Sequence, residues 1–238
     1  MTDEHTHTAR LLWGPHPQPT RGPKPKLDLR RIAHTGIGIA DAEDLPAVSM
    51  QRLAGELGVT KMALYRYVPG RTELVALMLE EAVGPHPSPD APLGGWREEL
   101  DHWARRLLEV FCRHPWAAEV AVRPRVMGPA ELGWMEYAVS ALDGTALTGA
   151  ERLDAVVLLA GHVRATAQHL RAAGPVGSPE AQLGSLLAEL LGAHAERFPA
   201  LCAAFTSVGE SGGGDQAWEF GLRSILDGLA ALIEHDRD

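Results

Sequence analysis

Between Ser49 and Leu74 the chain reads SMQRLAGELGVTKMALYRYVPGRTEL, and the glycine at its centre restricts what this stretch can become. Ala54 and Gly58 stand four apart, a small residue where one helix must approach another and then one able to take positive φ at a turn. Leu53, Leu57, Val59, Leu64 and Tyr67 fall where two short helices meeting at such a turn bury their seam. Thr60 suits the N-cap of the second helix, and Val59 and Leu64 have the spacing of a hydrophobic staple around it. These positions define a helix-turn-helix. Its remaining side chains, Lys61, Met62, Ala63 and Arg66, lie on the face that enters a groove of DNA.

A net charge of −9 over 238 residues argues against a polyanionic partner until its distribution is considered. From Arg21 to Arg71 there are nine Lys or Arg against five Asp or Glu, a local +4. Residues 84 to 238 carry 12 basic against 21 acidic side chains, a local −9. The chain is thus a basic segment joined to an acidic body, which leaves nucleic-acid binding open to the first. Hydrophobic residues at 45% and charged residues at 22% are ordinary for a soluble globular protein. Cys112 and Cys202 both sit in apolar helical patterns and read as buried thiols in a reducing compartment. No apolar run approaches the roughly 20 residues of a membrane span. The opening MTDEHTHTAR is polar and acidic, unlike a secretory signal, so the cytoplasm is the expected location.

Residues 1–26 are rich in His, Thr and Pro without periodicity and read as a mobile tail. At its end Arg21, Lys24 and Lys26 alternate with Gly and Pro, forming an extended basic arm that suits either a DNA minor groove or plain solvation. His5, His7 and His16 come without a Cys or carboxylate framework, so no metal is expected, and no cofactor. Residues 27–84 then form the DNA-binding domain. Its first helix runs from Asp28 to about Asp41, weakened by Gly36 and Gly38, and its last from near Arg71 to Val83. The segment 85–95 holds four prolines and two glycines and divides this reader from a body at 96–238.

In the body, Trp96, Leu100, Trp103, Leu107 and Phe111 mark an amphipathic helix that stops before Pro115. Trp116–Val122 reads as a further helical turn rather than a strand, because no partner strand exists. Helices follow at 129–142, 149–173, 178–198 and 215–234, with a flexible loop at 208–215. The segments 149–173 and 215–234 are apolar over more than one stripe, so each suits burial of one side in its own domain and the other in a partner subunit, or of both within one chain. The fold class is therefore all-α: an N-terminal helix-turn-helix domain followed by a helical ligand-binding and dimerisation domain.

The stretch SMQRLAGELGVTKMALYRYVPGRTELV resembles the TetR family of bacterial transcriptional repressors through Ala54, Gly58, Val59, Thr60, Leu64, Tyr65, Tyr67, Arg71 and Leu74. Gly70 and Arg71 depart from that family's usual Asn or Ser and Lys. The body resembles the tetracycline-repressor-type C-terminal domain in WREELDHWARRLLEVFCRHPW, GPAELGWMEYAVSAL and FGLRSILDGLAALIE. The resemblance implies a cytoplasmic homodimer, released from a palindromic double-stranded DNA operator by a small apolar effector. It places Ser49, Thr60, Tyr65, Tyr67 and Arg71 at phosphates, with Tyr67 equally suited to the core. Lys61 would read a guanine edge, and Met62 and Ala63 thymine methyls. Trp103, Phe111, Trp116, Met127, Trp134, His162 and Gln168 are the expected effector lining, as bulky or polar groups on inward helix faces.

An enzyme is not expected. The sequence holds no GxSxG, HExxH, phosphate-loop or dinucleotide fingerprint, and His114, His162 and His169 lack a carboxylate or thiol at a convincing spacing. The competing readings are a helical protein-interaction module, which leaves the basic helix-turn-helix unexplained, and a DNA-binding activator without an effector.

Overall fold

The computed structural model describes residues 3–14, 27–86, 88–89, 93–173, 186–187, 189–211 and 217–235, and among them the fold is all-α. The helices are α1 (Asp3–Trp13), α2 (Leu29–Glu43), α3 (Met50–Leu57), α4 (Lys61–Tyr65), α5 (Arg71–Val83), α6 (Trp96–Arg113), α7 (Pro115–Ala121), α8 (Pro129–Ala141), α9 (Gly149–Ala173), α10 (Pro199–Ser211) and α11 (Ala217–His235). A 3-10 turn at Leu45–Ala47 joins α2 to α3, and residues 189–193 are helical.

Local chemistry sets the reader's boundaries. Asp28 caps α2 by accepting from the Arg31 N–H at 2.7 Å. Ser49 caps α3 through the Arg52 N–H at 3.1 Å, and Thr60 caps α4 through the Ala63 N–H at 3.2 Å. Gly58 ends α3 at φ 67°, ψ 34°, a left-handed conformation that turns the chain straight into the next cap. Leu53, Leu64, Val68 and Leu74 close the seam as fully buried residues. α2 lies against α5 so closely that a Cβ at position 36 would stand 2.7 Å from the Met78 Sδ, which accounts for Gly36 within a helix.

In the body, Leu100, Trp103, Ala104, Leu107 and Phe111 form the buried stripe of α6, which packs on α9. α11 covers α9 with Leu222, Leu226, Leu229 and Ile233. Buried side chains run as one cluster from Leu12 to Ile233, so the Pro- and Gly-rich segment at 85–95 does not separate two cores. α5 belongs to both parts, touching α2 on the reader side and α7 and α8 on the other.

Three expectations need correcting. Residues 3–13 are not a tail without structure but the helix α1, which packs on α5 with Thr8 and Leu12 buried four residues apart. Tertiary contact supplies what the weak local pattern lacks. Cys112 is exposed rather than buried, on the outer side of α6, while Cys202 is half-buried. The loop expected from residue 208 does not begin there, because α10 continues to Ser211, and residues 212–216 lie outside the described residues.

Two glycines three residues apart separate conformation from space. Neither Gly55, inside α3, nor Gly58 has an atom within 4 Å of an added Cβ, yet only Gly58 has positive φ. Gly58→Ala is expected to cost about 1 kcal/mol, while Gly55→Ala gains about 0.5–1 kcal/mol from helix propensity. Urea unfolding of the two variants checks the pair, and equal effects would refute the turn assignment.

Candidate DNA-reading face and effector cavity

The reader presents a short helix. α4 has five residues and ends at Tyr65, where the chain turns back with the Tyr67 N–H donating to the Leu64 C=O at 2.8 Å. Lys61 and Arg66 are exposed, Met62 is 74% exposed, and Ala63 is half-buried beside them. Tyr65 and Tyr67 are 42% and 40% exposed. Tyr67 therefore lies outside the seam, whose place is taken by Val68, buried completely where the turn after α4 points it inward. Ser49 and Thr60 accept their capping bonds through oxygen lone pairs, so their hydroxyl protons remain for a further acceptor.

Arg71, expected at a phosphate, is exposed and also bonds within the protein. Its Nε donates to the Val48 carbonyl and its Nη2 to the Leu45 carbonyl, both at 3.0 Å. The guanidinium thereby ties the start of α5 to the turn that launches α3, and so sets the angle of the reader. Arg52 is likewise engaged, with Glu43 at 2.8 Å and Glu56 at 3.0 Å. Arg21, Lys24 and Lys26 lie outside the described residues.

A cavity of about 270 Å³ opens between α6, α8 and α9. Trp103, Phe111, Met127 and Trp134 line it, as the sequence suggested, together with apolar side chains of α9. Gln168 lines a neighbouring depression of about 500 Å³ that shares Phe111 with the first. Two expected residues belong elsewhere. Trp116 is 1% exposed and donates its Nε1–H to Asp41 at 2.8 Å. His162 stacks on the Trp218 ring, with centroids 5.1 Å apart, and joins α9 to α11. Periodicity places such residues on an inward face but does not say whether that face meets a void or another helix.

Sequence reasoning missed the cavity's charged members, Arg125, Glu131 and Arg164. Arg125 and Glu131 form a bidentate pair, with side chains 12% and 8% exposed. Their spacing of six residues across a loop and a helix start carries no helical signal.

The cavity wall and the reader share hydrogen bonds. The Trp103 Nε1–H donates to the Trp134 carbonyl at 2.9 Å, and the Trp134 Nε1–H to the Gly84 carbonyl at 3.1 Å, where α5 ends. One turn back on α5, Glu80 accepts from the Ala130 N–H at 2.5 Å and so occupies the N-terminus of α8. A Cβ at Gly128 would fall 2.2 Å from the Glu80 Oε2, so only glycine leaves room for this carboxyl. Burial pushes the Glu80 carboxyl above the usual carboxylate range, with the backbone hydrogen bonds pulling the other way. A second joint places Asp41 of α2 against the His114 Nδ1 at 2.9 Å and against Trp116. A third links Arg171 of α9 to Asp44 at 2.5 Å and to Glu119 at 3.3 Å.

Comparison with known proteins agrees with this arrangement. Residues 88–233 match the family model described as "Tetracyclin repressor-like, C-terminal domain". The HTH-type transcriptional repressor DrrR1 of Streptomyces coeruleorubidus is 36% identical, over 97% of this chain and 87% of that protein. The structure of ActR from Streptomyces coelicolor in complex with actinorhodin has 28% identity and a TM-score of 0.73, covering 87% of this chain and 97% of that one. Apo ActR has 29% identity and a TM-score of 0.70, covering 88% and 97%.

Two outcomes follow from the geometry. Arg71→Ala should lower stability by about 1–2 kcal/mol through the loss of two charge-assisted hydrogen bonds. Lys61→Ala should stay within about 0.5 kcal/mol of wild type, because the side chain is exposed and supports nothing; denaturant melts compare them. For Glu80, a raised carboxyl pKa favours the fold most below its ordinary value, and that contribution fades as pH rises through the raised one. Glu80→Gln keeps an acceptor for Ala130, so its melting temperature should gain on wild type as pH rises from about 4 to about 7. A pH-independent difference between the two proteins would contradict the assignment.

Proposed function

Since this chain belongs to the TetR family of transcriptional regulators, which are ligand-responsive DNA-binding proteins and not enzymes, we propose that it is a homodimeric repressor released from a palindromic operator by a small apolar effector. The observation that carries this reading is the shared hydrogen bonding of cavity wall and reader, from Trp103 through Trp134 to Gly84 at the end of α5. An occupant that moves Trp134 acts directly on the helix that ends the reader. By linkage, a ligand preferred by one reader spacing weakens the other by the ratio of its affinities for the two.

On the operator, Lys61 reads a guanine edge, Met62 and Ala63 meet thymine methyls, and Arg66 follows the backbone. Ser49, Thr60, Tyr65 and Tyr67 contact phosphates, and Arg21, Lys24 and Lys26 lie along the minor groove. Two readers in successive major grooves stand about 34–36 Å apart. The subunits meet through α9 and α11, where Leu153, Val157, Leu158, Phe220 and Leu232 are exposed apolar side chains. Effector contact falls to Trp103, Phe111, Met127 and Trp134, with Gln168 in the adjoining depression. Among the described residues no helix is long and apolar enough to cross a membrane. The work of a DNA-bound regulator belongs in the cytoplasm.

Gel retardation of genomic fragments at two salt concentrations tests the proposal. Binding should prefer one sequence and weaken steeply with salt. Lys61→Ala combined with Tyr65→Ala should lose about 10-fold or more in affinity, consistent with one base contact and one phosphate contact. Retention that survives both substitutions would remove those residues from the interface.

A further inference from the structure

The cavity is apolar except for three ionisable side chains, and their pairing is unequal. Arg125 and Glu131 satisfy each other. Arg164 has no hydrogen bond or ion pair to any described residue, although it is half-buried and lines the cavity. Arg97, Arg105, Arg125 and Arg152, the other half-buried arginines among the described residues, each hold a carboxylate. Arg164 alone of that group is left with an uncompensated charge, and burial works against that charge.

Its position fits a ligand rather than a structural partner. Val156, Val157, Ala160 and Arg164 follow one another along the side of α9 that walls the first cavity, while Ala167, Gln168 and Arg171 continue along the second. Arg164 therefore stands at the end of the α9 wall of the first cavity, just before the residues that line the second. Trp103, Phe111 and Trp134 line the same cavity and make its wall aromatic. A guanidinium at the end of an aromatic-lined cavity suits a planar acid, whose ring stacks on the walls and whose anionic oxygens take the fork of N–H donors.

We propose that the effector, apolar over most of its surface, carries one acidic group on an aromatic body and that Arg164 is the counter-ion of that group. This rests on the reading of the cavity as the effector site, and the experiment separates the two. Two fluorescent probes share nearly the same ring body: 8-anilinonaphthalene-1-sulfonate carries an anionic group, and N-phenyl-1-naphthylamine carries none. Each is titrated into the full-length protein, into Arg164→Gln and Arg164→Lys, and into Ala160→Trp, which fills the cavity. The sulfonate should bind wild type about tenfold more tightly than the neutral probe, as expected for one charge-assisted contact. Arg164→Gln should abolish that preference without weakening the neutral probe, and Arg164→Lys should restore part of it. Equal binding of the two probes to wild type, or a preference that survives Arg164→Gln, overturns the counter-ion while leaving the cavity in place. If Ala160→Trp displaces neither probe, or neither binds wild type, the effector-site reading itself fails and the proposal with it.

Discussion

A carboxyl group from one half of the molecule sits on the helix terminus of the other. Glu80 projects from α5 and takes the Ala130 N–H at the start of α8, in a space kept open by Gly128. Buried backbone donors at a helix start need partners, so α8 is anchored where α5 provides one. α8 then carries Glu131, the partner of Arg125, and Trp134, which bonds to both α5 and α6. The cavity lies where α6, α8 and α9 pack on one another without filling the space between them.

Two further polar joints fix the reader from other directions. Asp41 accepts from Trp116 and meets His114, which ties α2 to the start of α7. Arg171 reaches Asp44 just beyond α2, which ties the reader to α9. These joints are directional, unlike the continuous apolar core around them, and a directional contact has discrete alternatives when a helix shifts. A joint of this kind converts a small displacement of a wall into a change of partner.

Much of the reader was legible in the sequence because its signals are local. Asp28, Ser49, Gly58 and Thr60 each act on backbone within a few residues, and each does so in the structure. The helix 149–173 was equally clear, since its pattern is long. What stayed hidden in the sequence shares a cause. α1, the exchange of Tyr67 for Val68, the engagement of Arg71 with Leu45 and Val48, and the departure of Trp116 and His162 from the cavity all depend on which distant segment lies opposite. Arg164 illustrates the limit most sharply: it lines the cavity without a carboxylate partner among the described residues, and a missing partner leaves no trace in a pattern of residue types.

α5 is a single rigid rod shared by reader and wall. Its 13 residues span about 20 Å at the usual rise. Pivoted at Gly84 beside Trp134, such a rod moves its far end by about 1 Å for every 3° of tilt, by the same helix geometry. Because Arg71 bolts that far end to the turn before α3, the displacement passes on undiminished to the reading face. In the proposed dimer a tilt of α5 at the wall would change the spacing of the two reading faces, with a lever arm fixed by the length of one helix.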